Sequence, residues 1–406
     1  MRIAVLVEFF PPNLGSDRRI FEIMHRLASR YEIHFIVIPP LRLFYGTIPP
    51  TGTINRHFWK KESYLKYKKI HGHFIPIPSN IFRLWAGKIG VLAYLLTTTY
   101  LFFKVLKMLR KIDPQSIILN FPSANTGILG FTAGKILRKR VLTDFCDLIA
   151  QYTCTLLRIK GLRAKALLMI QNFIVKRSHK IIVTTEYIKR YVKRMNVPPM
   201  KIITIPNGVD LQQFNPKKYK KEKIRTNLKL PNEAKICIYF GRLDLWAGTK
   251  ILQDVAIRLN DENTDVKILV VGEGEEKFKL KNNIISLGRV PYKNMPLLLS
   301  SADVALIPFP DEDYAHAASP LKLFESMAMA LPIIASNVSG IQEIVKNDEC
   351  GILVNPTAID GWCESILFLL HNPQLSKRLG KCARKIVEKH HDWNVLARQY
   401  EKAFLE

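Results

Sequence analysis

The chain has 406 residues, 48% of them hydrophobic, enough for two or three cored domains and too apolar for a disordered protein. Its six cysteines, at 146, 154, 237, 350, 363 and 382, form no close CxxC pair, which points away from a cysteine zinc site or a disulfide framework and toward a reduced, cytoplasmic setting. The formal net charge is +27, and residues 1–200 carry +24 of it, with 33 Lys and Arg against 9 Asp and Glu.

In chain order, the opening Met1-Arg2-Ile3-Ala4-Val5-Leu6-Val7-Glu8 reads as a first buried strand, not a signal peptide. Further strand-like runs fall at 34–38, 116–120, 140–143 and 180–184, then at 236–240, 265–271, 284–287, 304–307, 332–335 and 351–354. Helical stretches alternate with them, the pattern of parallel sheets with crossover helices, here in two sets. The predicted fold class is therefore α/β, two doubly wound Rossmann-like domains. Ligands of such sheets bind at the carboxyl ends of the strands, so a cleft between the domains is the expected site.

The predicted boundaries are 1–208 for a first domain, 209–390 for a second and 391–406 for a closing helix. Residues 217–223, with five lysines, read as a polar connector. Residues 89–103 are uncharged but short of the ~20 apolar residues that span a bilayer, so a buried crossover helix is expected. Lys60, Lys61, Lys66, Lys68 and Lys69, with Tyr64 and Tyr67, form an aromatic and basic patch suited to a membrane or acceptor loop. Nucleic acid is set aside, because no helix-turn-helix, RNA-recognition or zinc-finger pattern accompanies the charge.

The most informative stretch is 318–345. Ser319 can cap a helix, with Pro320 at its first position and Leu321-Lys322-Leu323-Phe324-Glu325 continuing it. The free amides of that turn, with Lys322, make an anion site, and Glu325 shares the Lys322 face a turn later. That combination suits the phosphates and hydroxyls of a nucleotide sugar.

This stretch resembles the donor-site signature of the retaining glycosyltransferases of family 4, subgroup Ser-Pro-Leu-Lys-x-x-Glu. Further blocks match in the family's order: Phe10-Pro11-Pro12-Asn13-Leu14-Gly15, Ile205-Pro206-Asn207-Gly208-Val209-Asp210, Tyr239-Phe240-Gly241-Arg242-Leu243-Asp244, Val271-Gly272-Glu273-Gly274 and His391-Asp392-Trp393. The resemblance implies the GT-B fold, a nucleoside diphosphate sugar as donor, no cofactor and no metal. It implies that Arg242, Lys322 and Glu325 are the catalytic residues. Donor contacts are implied for Gly15, Gly241, Lys250, Val290, His316, Ser319, Pro320 and Leu321. Asn120 and Asp144, at strand ends of the first domain, are candidates to face the acceptor.

Three positions depart from the family, the first being Ser16, where the family often has a second glycine after Gly15. Its usual diphosphate-gripping lysine is Ala247 here, with Lys250 three residues on as a replacement, and its first donor-sugar glutamate is Ala317. Asp311-Glu312-Asp313 reads as a solvated acidic turn. The implied function is hexose transfer with retention to a lipid-linked or membrane-surface acceptor by a peripheral protein of the cytoplasmic face. The alternatives are a non-catalytic nucleotide-sugar-binding protein on this scaffold and another GT-B enzyme, such as a sugar-nucleotide epimerase or a phosphorylase.

Overall fold

The computed structural model describes residues 1–8, 10, 15–38, 63–67, 69–76, 90–156, 158–262, 264–274, 283–347 and 349–406. The chain divides into two compact units, one of Met1–Ile205 with Leu396–Glu406 and one of Pro206–Val395.

The first unit is built on an eight-stranded sheet in the order β3-β4-β2-β1-β5-β6-β7-β8. The strands are β1 Arg2–Val7, β2 Glu32–Val37, β3 Ser63–Tyr67, β4 Ile70–Phe74, β5 Ser116–Leu119, β6 Arg140–Phe145, β7 Lys180–Val183 and β8 Ile202–Thr204. The ladders are parallel except β3 on β4. Apolar runs such as Ile3-Ala4-Val5-Leu6-Val7 are buried on both faces, as parallel sheets require.

The Gly90–Ile112 helix feeds β5 and buries Leu101, Val105, Leu109 and Ile112 at helical spacing. Its outer stripe is Leu96, Thr99, Phe103, Lys107 and Arg110. Among the described residues no helix is long and apolar enough to cross a membrane. The basic patch is placed only in part: Lys60, Lys61 and Lys68 lie outside the described residues, while Lys66 and Lys69 are exposed. Lys66 sits in an antiparallel edge strand, not the expected loop, and the Lys69 ammonium donates to the Ser29 carbonyl at 3.2 Å.

The second unit has a fully parallel six-stranded sheet, order β11-β10-β9-β12-β13-β14. Its strands are β9 Lys235–Phe240, β10 Val266–Val271, β11 Ile284–Gly288, β12 Val304–Ile307, β13 Ile333–Ser336 and β14 Ile352–Val354. Alternate residues feed two apolar layers. Ile236, Ile238 and Phe240 go to one, Cys237 and Tyr239 to the other.

The expected polar connector is structured instead. The Lys221–Asn227 helix carries buried Arg225, whose guanidinium reaches the carbonyls of Ser301, Asn232 and Ala234 and the Asp303 carboxylate. Asp303 also takes the Ile236 amide at 2.7 Å, so this segment is pinned to the start of β9.

Candidate functional site

In the second unit the strand order reverses between β10 and β12 around β9. Open parallel sheets bind ligands at the carboxyl ends of strands at such a reversal. Gly241 and Arg242 follow β9 there, and Pro308 and Phe309 follow β12.

Gly241 has φ +134° and Gly272 φ +146°, and a Cβ on Gly272 would stand 1.8 Å from the Gly241 carbonyl oxygen. The Gly241 amide donates to Val271 O at 2.9 Å, Leu243 to Glu273 O at 3.1 Å and Gly272 to Gly288 O at 2.8 Å. The turns after β9, β10 and β11 are thereby laced together. Val290 packs half-buried on the same core just beyond.

Lys322 enters this point from the Leu321–Ala328 helix. Its Cδ is 4.0 Å from where a Gly241 Cβ would be, and its Nζ lies 4.4 Å from the Tyr239 ring centroid and 4.8 Å from that of Phe309. Burial pushes the amine down to about 7. The Tyr239 hydroxyl donates to the Arg242 carbonyl at 2.5 Å, which ties the Arg242 backbone to the ring under Lys322. Arg242 Nε donates to Asp244 Oδ2 at 2.5 Å, and Trp246 Nε1 donates to the same oxygen at 3.0 Å. Lys322 thus stands over Tyr239 beside Gly241, and the backbone of Arg242, the next residue, is held by the Tyr239 hydroxyl.

One turn along the helix, buried Glu325 accepts from the Tyr292 hydroxyl at 2.6 Å. The helix start differs from expectation. Pro320 occupies the cap position with φ −73° and ψ 129°, Leu321 is the first helical residue, and no side chain caps it. Ser319 does not cap, because its carbonyl accepts from Asn207 Nδ2 while its hydroxyl is buried without a hydrogen-bond partner. Buried His391, held down to about 4 by its surroundings, donates Nδ1–H to the Asn207 carbonyl at 3.0 Å. Asn207 was visible in the sequence as part of a block, but its role as the brace behind Ser319 was not.

His316 sits in the Asp313–Ala317 helix. Its Nδ1 accepts from the Ser339 amide at 3.1 Å, which leaves Nε2–H to donate to Asp311 Oδ1 at 2.7 Å. A Cβ on Gly340 would meet the Ala318 carbonyl at 2.1 Å, so a glycine lets the Ser339–Gln342 helix close on this loop. The Asp311-Glu312-Asp313 turn is exposed, and Ala317 is fully buried.

Lys250 does not join the Tyr239 cluster. It is 66% exposed and pairs with Asp254 at 2.6 Å, one turn along its own helix. Ala247 is buried, and its carbonyl faces the Tyr239 hydroxyl at 3.4 Å.

In the first unit, Gly15 begins the Gly15–Leu27 helix after β1, and Asn120 follows β5, the strand beside β1 at that sheet's own reversal. Asn120 Nδ2 donates to Asp17 Oδ1 in the first turn of that helix at 3.0 Å, two residues on from Gly15. Asp144 faces no open surface. It is fully buried, accepts from Arg19 Nε at 3.1 and 3.3 Å and from the Tyr400 hydroxyl at 3.2 Å, and burial raises its pKa despite Arg19. With Arg19 also donating to Ile205 O at 2.9 Å, this is an internal brace, and the acceptor assignment of Asp144 is withdrawn.

Comparison with known proteins agrees with this layout. Residues 15–213 match the family described as Glycosyltransferase Family 4, and residues 220–386 match Glycosyl transferases group 1. Among similar proteins is the Escherichia coli UDP-Gal:alpha-D-GlcNAc-diphosphoundecaprenol alpha-1,3-galactosyltransferase, 30% identical over 48% of this chain and 52% of its own length. Another is the GDP-mannose-dependent alpha-(1-6)-phosphatidylinositol dimannoside mannosyltransferase of Mycobacterium tuberculosis, 28% identical over 46% and 48%. The chain spans about half the length of the curated relatives it matches. Sucrose-phosphate synthase from Thermosynechococcus elongatus shares the fold with TM-score 0.74, 19% identity and coverage of 99% and 98%. Anabaena HepE, solved in complex with UDP-glucose, does so with TM-score 0.72, 17% identity and the same coverage.

Proposed function

We propose that this chain, whose halves match Glycosyltransferase Family 4 and Glycosyl transferases group 1 on the GT-B fold, moves a hexose from a nucleoside diphosphate sugar to a lipid-linked acceptor at an anionic membrane surface, with retention. The observation that carries the donor half is Lys322 seated over Tyr239 beside Gly241, with Arg242 anchored by its carbonyl to the same tyrosine, at the reversal of the second sheet.

The diphosphate is a leaving group whose charge grows as the glycosidic bond breaks, and preorganised donors stabilise such charge most. Arg242 offers a planar fork suited to two phosphate oxygens, its Nε end already oriented by Asp244. Lys322, desolvated between two rings, gains its full charge when an anion arrives. The first-turn amides behind Pro320 and the buried Ser319 hydroxyl add donors. Glu325, held by Tyr292, accepts from the ribose hydroxyls, and His316 meets the sugar. No cofactor beyond the donor is invoked.

In the same-face reaction, the acceptor oxygen bonds to the anomeric carbon as the carbon–phosphate-oxygen bond breaks. The acceptor proton passes to the leaving phosphate, so no protein base is required.

The acceptor half rests on the first unit. The Gly90–Ile112, Thr126–Ile136 and Gly161–Arg177 helices expose Leu95, Leu96, Phe103, Ile136, Leu162, Met169 and Phe173. Lys107, Arg110, Lys135, Arg163, Lys165, Lys176 and Arg177 are exposed on the same helices. Apolar side chains among cations match a headgroup layer better than they match water. The similar Escherichia coli and Mycobacterium tuberculosis proteins are named for polyprenyl and phosphatidylinositol acceptors.

The test is transfer from radiolabelled UDP-, GDP- and ADP-hexoses into a bacterial lipid extract, with the anomeric configuration of the product read by NMR. Label in the lipid phase with the donor's configuration is expected. Tight nucleotide binding without transfer or hydrolysis would instead identify a non-catalytic binding protein.

A further inference from the structure

On one face of the first unit's sheet, running inward from the amino ends of β2 and β4, four chemistry-bearing side chains stand together. In β2, Glu32 and His34 are two apart. In β4, His71 and His73 are two apart. The parallel register pairs His34 with His71 and Ile36 with His73. Side chains repeat every second residue along a strand, so all four project from the same side. The rows continue into core: Ile36 and Ile38 follow His34, Ile75 follows His73, and Ala4 and Leu6 lie alongside, all under the Gly90–Ile112 helix. The histidines therefore stand where the pattern calls for apolar residues, at the open end of that layer.

Their spacing is that of a coordination shell. His34 Nε2 lies 3.2 Å from Glu32 Oε1, and His71 Nε2 lies 3.6 Å from the same oxygen. The ligand atoms of all three residues fall within 4.8 Å of one another. Metal–ligand bonds of about 2.0–2.1 Å in a tetrahedral site give ligand–ligand edges of roughly 3.3 Å. The His34 and His71 rings stack at 4.7 Å, with both Nε2 atoms on the Glu32 side. His34 Nδ1 is 3.0 Å from His73 Nε2. If His34 donates in that bond, its proton resides on Nδ1 and its Nε2 lone pair faces the site, the usual service of an outer partner to a ligating histidine.

We propose that Glu32, His34 and His71 form a binding site for one divalent transition-metal ion of the zinc class, with His73 as the positioning residue behind His34. Two imidazoles and a carboxylate suit zinc, cobalt or nickel and suit magnesium or calcium poorly. Burial grades from inside to outside, with His34 buried, His71 half-buried and Glu32 exposed, so an ion enters from the Glu32 side. The ion would clamp β2 to β4, a peripheral position in the sheet, and it takes no part in sugar transfer. Arg2 and Lys111 are the neighbouring cations, and Arg2 is drawn to Asp113 at 3.9 Å.

The experiment uses the full chain without a polyhistidine tag, stripped with chelator and titrated with Zn²⁺ by calorimetry and with Co²⁺ by visible absorption. One ion per chain is expected, with cobalt d–d bands of a four-coordinate nitrogen–oxygen site and no competition from millimolar Mg²⁺. Glu32→Gln and His71→Gln each weaken zinc binding at least tenfold. His73→Phe weakens it by about 10–100-fold, as loss of an outer partner does. Circular dichroism and donor hydrolysis unchanged from wild type show that the variants fold. Substoichiometric zinc, equal competition by Mg²⁺, or wild-type affinity in folded His71→Gln would each overturn the proposal.

Discussion

At the scale of single residues, Lys322 and Asp144 are both ionisable groups surrounded by protein, and their surroundings assign them opposite roles. Lys322 rests on two aromatic faces, and burial lowers its pKa to about 7. A folded-state value below the unfolded one makes the native state bind fewer protons between about pH 7 and the ordinary lysine range near 10.4. The contribution of Lys322 to stability is therefore unfavourable below about pH 7 and relieved as pH rises through that window. A diphosphate restores the proton, so nucleotide binding at pH 8 should take up protons. Calorimetry in buffers of different ionisation enthalpy measures this, and Lys322→Met should abolish most of the uptake. Asp144, by contrast, is saturated by Arg19 and Tyr400. Asp144→Ala leaves the buried Arg19 charge uncompensated and should cost about 3–5 kcal/mol in urea unfolding. Sequence could not show this brace, since the partners lie 125 and 256 positions away. Glu325→Ala should weaken nucleotide-sugar affinity by about tenfold, roughly one hydrogen bond to a charged group, read by calorimetry.

At the scale of elements, the site depends on turns that touch. Gly272 is the tightest of these, its missing Cβ directed at the Gly241 carbonyl 1.8 Å away. Gly272→Ala combines a positive φ with that clash, so it should destabilise the second unit by about 1–3 kcal/mol and weaken donor binding by moving Gly241 and Arg242. A thermal melt and a nucleotide titration on the same sample check both. Much of this was legible in sequence, because strand, glycine and arginine are consecutive and the strand runs at 236–240 and 304–307 fall within one residue of β9 and β12. The helix starts one residue later than its sequence suggests, since Ser-Pro suits both a serine cap and the observed proline cap, and the Asn207 contact to Ser319 favours the latter. β4 escaped notice because Ile-His-Gly-His-Phe puts imidazoles where a core strand carries aliphatics. Its histidines acquire meaning only through the register with β2, which no local pattern encodes.

At the scale of the whole molecule, the exposed apolar and basic residues of three helices extend the proposed membrane face beyond the lysine run, of which Lys66 and Lys69 lie among the described residues. Vesicle co-sedimentation should show binding to anionic and not to neutral lipid, fading in 1 M salt, where the Debye length is about 3 Å. Leu162→Glu with Met169→Glu should remove that binding and leave hydrolysis of a soluble donor intact. Binding that persists in this double variant would place the membrane face elsewhere. The fold itself was legible from alternating runs, and the two families matched by the halves agree with it. The proposed donor site requires that Arg242 stabilise a departing nucleoside diphosphate. The most direct measurement is single-turnover cleavage of the preferred nucleotide sugar by wild type and by Arg242→Ala at saturating donor. A loss of about 10²-fold or more in rate is expected, as removal of one oxyanion donor typically causes; a variant that turns over at the wild-type rate would refute the role of Arg242.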